Sequence, residues 1–116
     1  MRRALLADDD FLVRSYLKML LSWEKAGFEI AADVRDGEEA LEILEQQEIE
    51  LVVTDIAMPL MDGIELIREI RKKYPDIYVI VLSCHDEFEY VKKAMKEGAD
   101  ENREIQDPLP ECEKPV

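Results

Sequence analysis

Four short apolar runs, at residues 3–7, 28–34, 51–54 and 77–82, alternate with stretches whose apolar positions recur every three or four residues. The third and fourth runs are nearly continuous, as parallel strands covered on both faces tend to be. Between the runs, Leu12, Val13, Tyr16, Leu17 and Leu20 keep helical spacing. So do Ala40, Leu41 and Leu44; Ile64, Ile67, Ile70 and Tyr74; and Phe88, Val91 and Met95. Asp36-x-x-Glu39, Asp62-x-x-Glu65 and Asp86-x-x-Glu89 each place an acceptor at a helix start with Glu three residues on, the capping-box spacing. Gly27, Pro75 and Gly98 mark stops. The order βαβαβαβα predicts an α/β fold with right-handed crossovers and a doubly wound parallel sheet.

After Ala99 the pattern breaks. The last stretch holds Pro108, Pro110 and Pro115 and no apolar run, so strand 5 and helix 5 are expected to be missing or abnormal, leaving strand order 2-1-3-4. Residues 1–100 read as one domain and 101–116 as an atypical tail. An inner strand left at an edge offers unpaired backbone groups, which predicts self-association through strand 4 and helix 4.

Chemistry concentrates at the strand ends. Asp8-Asp9-Asp10 closes the first apolar run, and Asp55 closes the third, followed by a Met58-Pro59 turn and Asp62-Gly63. Doubly wound sheets bind ligands where the strand order reverses, between strands 1 and 3, so Asp8 and Asp9 should meet Asp55. Carboxylates that close repel, and at least one should hold its proton unless a cation is present. A hard divalent ion such as Mg²⁺ relieves the conflict and shares phosphate oxygens readily. Asp10 reads as a helix cap. Ser83, ending the fourth strand, can donate its hydroxyl to a phosphoryl oxygen on Asp55. Thr54 points to the other face and reads as structural, and His85 as a surface loop residue.

Composition narrows the function. A chain of 116 residues, 47% apolar, suits one domain with its own core. A net charge of -13 argues against nucleic acid and against an anionic membrane surface. No apolar run reaches the length of a bilayer span. Three aspartates directly after Met1-Arg-Arg-Ala-Leu-Leu-Ala7 argue against a signal peptide. Cys84 and Cys112 lack metal-site spacing and read as free thiols of a cytoplasmic protein.

The Asp8-Asp9 pair, Asp55 in Asp-Ile-Ala-Met-Pro-Leu-Met-Asp-Gly, Ser83, and Lys-Glu-Gly-Ala at 96–99 together resemble the receiver domain of bacterial two-component response regulators. That family is flavodoxin-like in fold. The segments at 22–30 and 82–90 look like those of regulators with an arabinose-regulator-type helix-turn-helix output, a module these 116 residues do not contain. The resemblance implies that Asp55 accepts a phosphoryl group from the histidine of a sensor kinase. It implies Mg²⁺ held by Asp8, Asp9, Asp55 and the Ala57 backbone carbonyl, Ser83 as the switch hydroxyl, and control of transcription. It also calls for an aromatic residue and a Lys-Pro pair on a fifth strand. Counting from Gly98 puts Asn102 and Ile105 there; Lys114-Pro115 supplies the pair only nine residues farther on. The alternative is a degenerate receiver acting as a protein-interaction module without a complete phospho-switch. A haloacid-dehalogenase-type phosphatase fits Asp8-x-Asp10 and Ser83 but leaves Asp55 without a role, so the chain reads as a signalling domain and not an enzyme.

Overall fold

The computed structural model describes residues 1–20, 23–84 and 86–104. Its elements run β1 (Arg2–Ala7), α1 (Phe11–Leu20), β2 (Phe28–Val34), α2 (Gly37–Gln46), β3 (Leu51–Asp55), α3 (Gly63–Lys73), β4 (Tyr78–Ser83), α4 (Phe88–Glu97) and β5 (Glu101–Glu104). The strands form one parallel sheet in the order β2-β1-β3-β4-β5. β1 shows why its sequence is apolar without alternation. Leu5 and Ala7 join the core under α2 and α3, while Ala4 and Leu6 meet Val13 and Leu17 of α1 on the other face. Among the described residues no helix is long and apolar enough to cross a membrane.

The expectation of a missing fifth strand is corrected. Glu101–Glu104 pair with β4 in parallel, Ile80 opposite Glu101 through Ser83 opposite Glu104. The strand is short, polar and mostly exposed, so no hydrophobic pattern announces it. What holds it is Asp100. Its N–H donates to the Val79 carbonyl at 2.8 Å, and its carboxylate accepts the Val79 N–H at 2.8 Å. Arg71 grips that carboxylate at 2.6 Å and also donates to the carbonyls of Gly98 and Ile77, both at 2.7 Å. Gly98, at φ 124°, lies so close to Arg71 that a Cβ there would sit 2.7 Å from its Cγ. With β5 in place, β4 is not an open edge. The expected absence of helix 5 falls on residues outside those described.

Two of the three predicted helix starts hold. Asp36 caps α2, and Asp62 and Glu65 form a reciprocal capping box on α3. The third does not: α4 begins at Phe88, its N-cap is Glu87, and no side chain caps it. Nor do Phe88 and Met95 face the core, both being exposed, whereas Ala94 is buried and Val91 packs partly against the core.

Candidate functional site

At the carboxyl ends of β1, β3 and β4 lies an open cavity of about 550 Å³, lined in part by Asp8, Asp9, Asp55, Ala57, Ser83 and Glu87. One carboxylate oxygen from each of Asp8, Asp9 and Asp55 comes within 4.8 Å of the others. The reversal of strand order between β1 and β3 is what brings them together. Ser83 is buried on the neighbouring strand end.

Asp8 is only 4% exposed. Its carboxylate accepts the Asp10 N–H at 2.9 Å, and its backbone carbonyl accepts Arg14 Nη1 at 2.6 Å. Arg14 in turn pairs with Asp33 at 2.8 Å, tying α1 to β2. Burial, reinforced by the charge of Asp55, pushes the Asp8 carboxyl up to about 8. Asp55 is pushed up to about 7, again mainly by burial, with the Ile56 and Ala57 N–H groups opposing and Glu87 and Asp9 adding to the rise. Its carboxylate takes the Ile56 N–H at 2.7 Å. A buried and a half-buried carboxyl that resist ionisation beside a third describe a donor set short of positive charge. Among the described residues lining the cavity, none is basic.

The turn after Asp55 is fixed by two glycines. Gly63 donates to the Ile56 carbonyl at 2.7 Å, and a Cβ on it would lie 2.1 Å from the Asp55 carbonyl oxygen. Gly37, at the start of α2, donates to the Met61 carbonyl at 3.0 Å, and a Cβ on it would lie 2.7 Å from that oxygen. Between them Leu60 takes a left-handed φ of 65°. The turn therefore has little freedom, and Asp55 stands at its head.

Asp10 accepts the Leu12 N–H at 2.8 Å, the cap role its sequence suggests. Thr54 is fully buried and donates to the Asp55 carbonyl at 2.9 Å, a structural role. Glu87 was not singled out from sequence, because the Asp86-x-x-Glu89 spacing pointed elsewhere. The signal for it is Cys84-x-x-Glu87, a turn closed by the Glu87 carboxylate on the Cys84 N–H at 2.8 Å. Arg14 was missed as well, as one basic residue on a polar helix face. The free-thiol expectation fails for Cys84, which is disulfide-bonded, since spacing alone says nothing of which thiols meet. Cys112, His85, Ile105 and Lys114 lie outside the described residues.

Residues 4–102 match the response regulator receiver domain family along their whole length. The chain belongs to that family. Receivers are signalling domains that bind Mg²⁺ at an acidic site, and this chain brings Asp8, Asp9 and Asp55 together in an acidic cluster. The transcriptional regulatory protein DegU of Brevibacillus brevis is 41% identical over 92 residues, covering 79% of this chain and 39% of that protein. YesN of Bacillus subtilis, named as an uncharacterized transcriptional regulatory protein, is 39% identical over 84% of this chain and 27% of its own length. The chain thus spans well under half of these relatives. The receiver domain of AraT, a response regulator from Geobacillus stearothermophilus, superposes with a TM-score of 0.84 at 31% identity, covering 90% of this chain and 81% of that one.

Proposed function

We propose that this receiver works in the cytoplasm, accepts a phosphoryl group on Asp55 from the histidine of a sensor kinase, and passes the change to a transcriptional output module. The observation that carries the reading is the convergence of Asp8, Asp9 and Asp55 within 4.8 Å, with Asp55 facing an open cavity. An Asp55 carboxylate oxygen attacks phosphorus, the histidine N–P bond breaks, and its electron pair returns to the imidazole, leaving an acyl phosphate. Asp8, Asp9, Asp55 and the Ala57 backbone carbonyl would hold Mg²⁺; the carboxylates fit it because they are hard donors whose crowding lacks a positive charge, and Ala57 lines the same cavity. Bound there, Mg²⁺ neutralises charge on the transferring group and aligns it. Asp55 is positioned by the Ile56 N–H and the Gly63 turn. Ser83 then donates its hydroxyl to the phosphoryl oxygen, and that contact shifts the population of the β4–α4 face.

Incubation with acetyl phosphate and Mg²⁺, followed by intact mass, tests the acceptor. A gain of one phosphoryl group that disappears in Asp55→Asn is expected; a gain that survives it places the acceptor elsewhere.

A degenerate receiver that binds partners without a complete switch is the second reading. It is favoured by Asn102, an exposed residue opposite Val81 where receivers carry an aromatic switch side chain. Phosphorylation that leaves the α4 and β5 amide signals unmoved in NMR would select it. The arabinose-regulator-type output belongs to the same proposal, carried by the resemblance at 22–30 and 82–90. For self-association the ground shifts from the filled β4 edge to α4, where Phe88 is 65% and Tyr90 57% exposed.

A further inference from the structure

Arg14 has no place in the roles assigned above, yet it is bonded to a residue of the acidic cluster. It stands near the start of α1, the end of a helix where a cation is disfavoured. Its side chain is nonetheless only 13% exposed, with its guanidinium held on three sides. Nη1 donates to the Asp8 carbonyl at 2.6 Å, and Nε donates to the Asp33 carboxylate of β2 at 2.8 Å. The same group lies over the Phe11 ring, 5.7 Å from its centre. The Asp8 N–H donates to the Val34 carbonyl at 3.0 Å. Both backbone groups of Asp8 are thus tied to the end of β2, one directly and one through Arg14. The carbonyl that Arg14 holds belongs to the peptide unit joining Asp8 to Asp9. That unit is planar, so turning it re-aims the chain that carries both carboxylates. Lys18 offers a contrast. It grips the other oxygen of Asp33 at 2.9 Å, is 40% exposed, and among the described residues makes no bond to Asp8.

We propose that Arg14, anchored by Asp33, is a positioning residue for the metal-binding carboxylates of Asp8 and Asp9, fixing through the Asp8 carbonyl the turn that presents them. This rests on the reading of the cluster as the Mg²⁺ site. Charge and position predict opposite signs here. A guanidinium near a cation site repels the cation, so losing the charge alone tightens metal binding. Losing the bond to Asp8 loosens it. Arg14→Met removes charge and bond together. Arg14→Lys keeps the charge and the pair with Asp33, and gives up the fork that serves two partners at once. Lys18→Met removes a like charge from the same carboxylate and leaves the Asp8 carbonyl held.

The test has two arms, each run on all three variants. In the first, the rise in melting temperature with MgCl₂ at matched ionic strength gives the metal midpoint. It weakens by roughly tenfold in both Arg14 variants, the lower end of what loss of a ligand's supporting partner costs, and does not weaken in Lys18→Met. In the second, without metal, exchange of the Asp10 amide that donates to the Asp8 carboxylate speeds by roughly tenfold in the Arg14 variants alone, measured against β3 amides. A lower metal-free melting temperature with an unmoved or tighter metal midpoint marks Arg14 as a mere fastening of α1 to β2 and overturns the proposal. Equal weakening in Lys18→Met overturns it too, since the ion pairs of Asp33 then matter and the Asp8 bond does not. Asp10 exchange that keeps its wild-type rate has the same force. A wild-type chain whose melting ignores MgCl₂ sinks the metal reading, and the exchange arm by itself then decides whether Arg14 places Asp8.

Discussion

The electrostatic cost of the site is concentrated in Asp8 and Asp55, and it sets a pH dependence. Their carboxyls titrate near 8 and 7 in the folded chain, against about 3.8 when unfolded. Between those values the folded chain holds protons that the unfolded chain has released. Their contribution to stability is therefore full below about pH 4 and is lost as pH rises through 7 and 8. Asp8→Asn keeps the shape and removes the charge. It is expected to raise the metal-free melting temperature at pH 8 by several degrees, to flatten the decline with pH, and to lose the stabilisation by Mg²⁺. Melting curves at acid and alkaline pH, with and without metal, check all three. An Asp8→Asn chain that melts lower than wild type at pH 8 without metal would locate the cost elsewhere. Gly63 makes the complementary prediction. A Cβ 2.1 Å from the Asp55 carbonyl oxygen meets backbone that cannot turn aside. Gly63→Ala is expected to cost more than about 2 kcal/mol and to lower phosphorylation of whatever chain still folds. Denaturant unfolding measures the first and intact mass the second.

At the scale of elements, the structure separates what the sequence could say from what it could not. β1, β3 and β4 were legible because a strand buried on both faces must be apolar at nearly every position, as residues 51–54 are, whereas the edge strand β2 showed through its Phe28, Ile30 and Val34. Asp8, Asp9, Asp55 and Ser83 were legible because the alternation of elements sets the strand order, and the strand order sets which ends meet. β5 was not legible. Glu-Asn-Arg-Glu buries little and alternates nothing; its place is decided by the Asp100 bracket on Val79 and the Arg71 clamp, contacts between residues far apart in sequence. The start of α4 was misread for a related reason. Asp86 and Glu87 are both acceptors at plausible spacing, and only the return of the chain to Cys84 chooses between them. The same shift turns Phe88 and Met95 outward and leaves Ala94 as the packing residue. If the bracket holds β5, then Asp100→Ala should speed amide exchange across the β4–β5 ladder by an amount equivalent to about 1–2 kcal/mol and leave the β1–β3 ladder protected. Equal loss of protection in both ladders would mean that β5 is held by the whole sheet and not by Asp100.

For the whole molecule the governing quantity is a net charge of -13. Any added salt relieves part of that self-repulsion, so metal binding is read only at matched monovalent ionic strength. The same charge governs contacts between copies. β5 closes the edge that an open β4 would have presented, and its own exposed residues are charged except for Asn102, a composition that blunts edge pairing. One apolar face open to a second copy is α4, with Phe88 and Tyr90 outward and Lys92, Lys93 and Lys96 beside them. Association through that helix must overcome repulsion between two strongly acidic molecules, so it strengthens with salt, whereas a contact built on ion pairs weakens. Sedimentation is therefore expected to give the monomer mass at low ionic strength, and a mass that climbs with protein concentration at high ionic strength. Phe88→Glu puts a charge in the centre of the contact and is expected to hold the chain at the monomer mass throughout. A mass that climbs equally in Phe88→Glu moves the contact off α4, and one that climbs most at low salt replaces the apolar surface with ion pairing between copies.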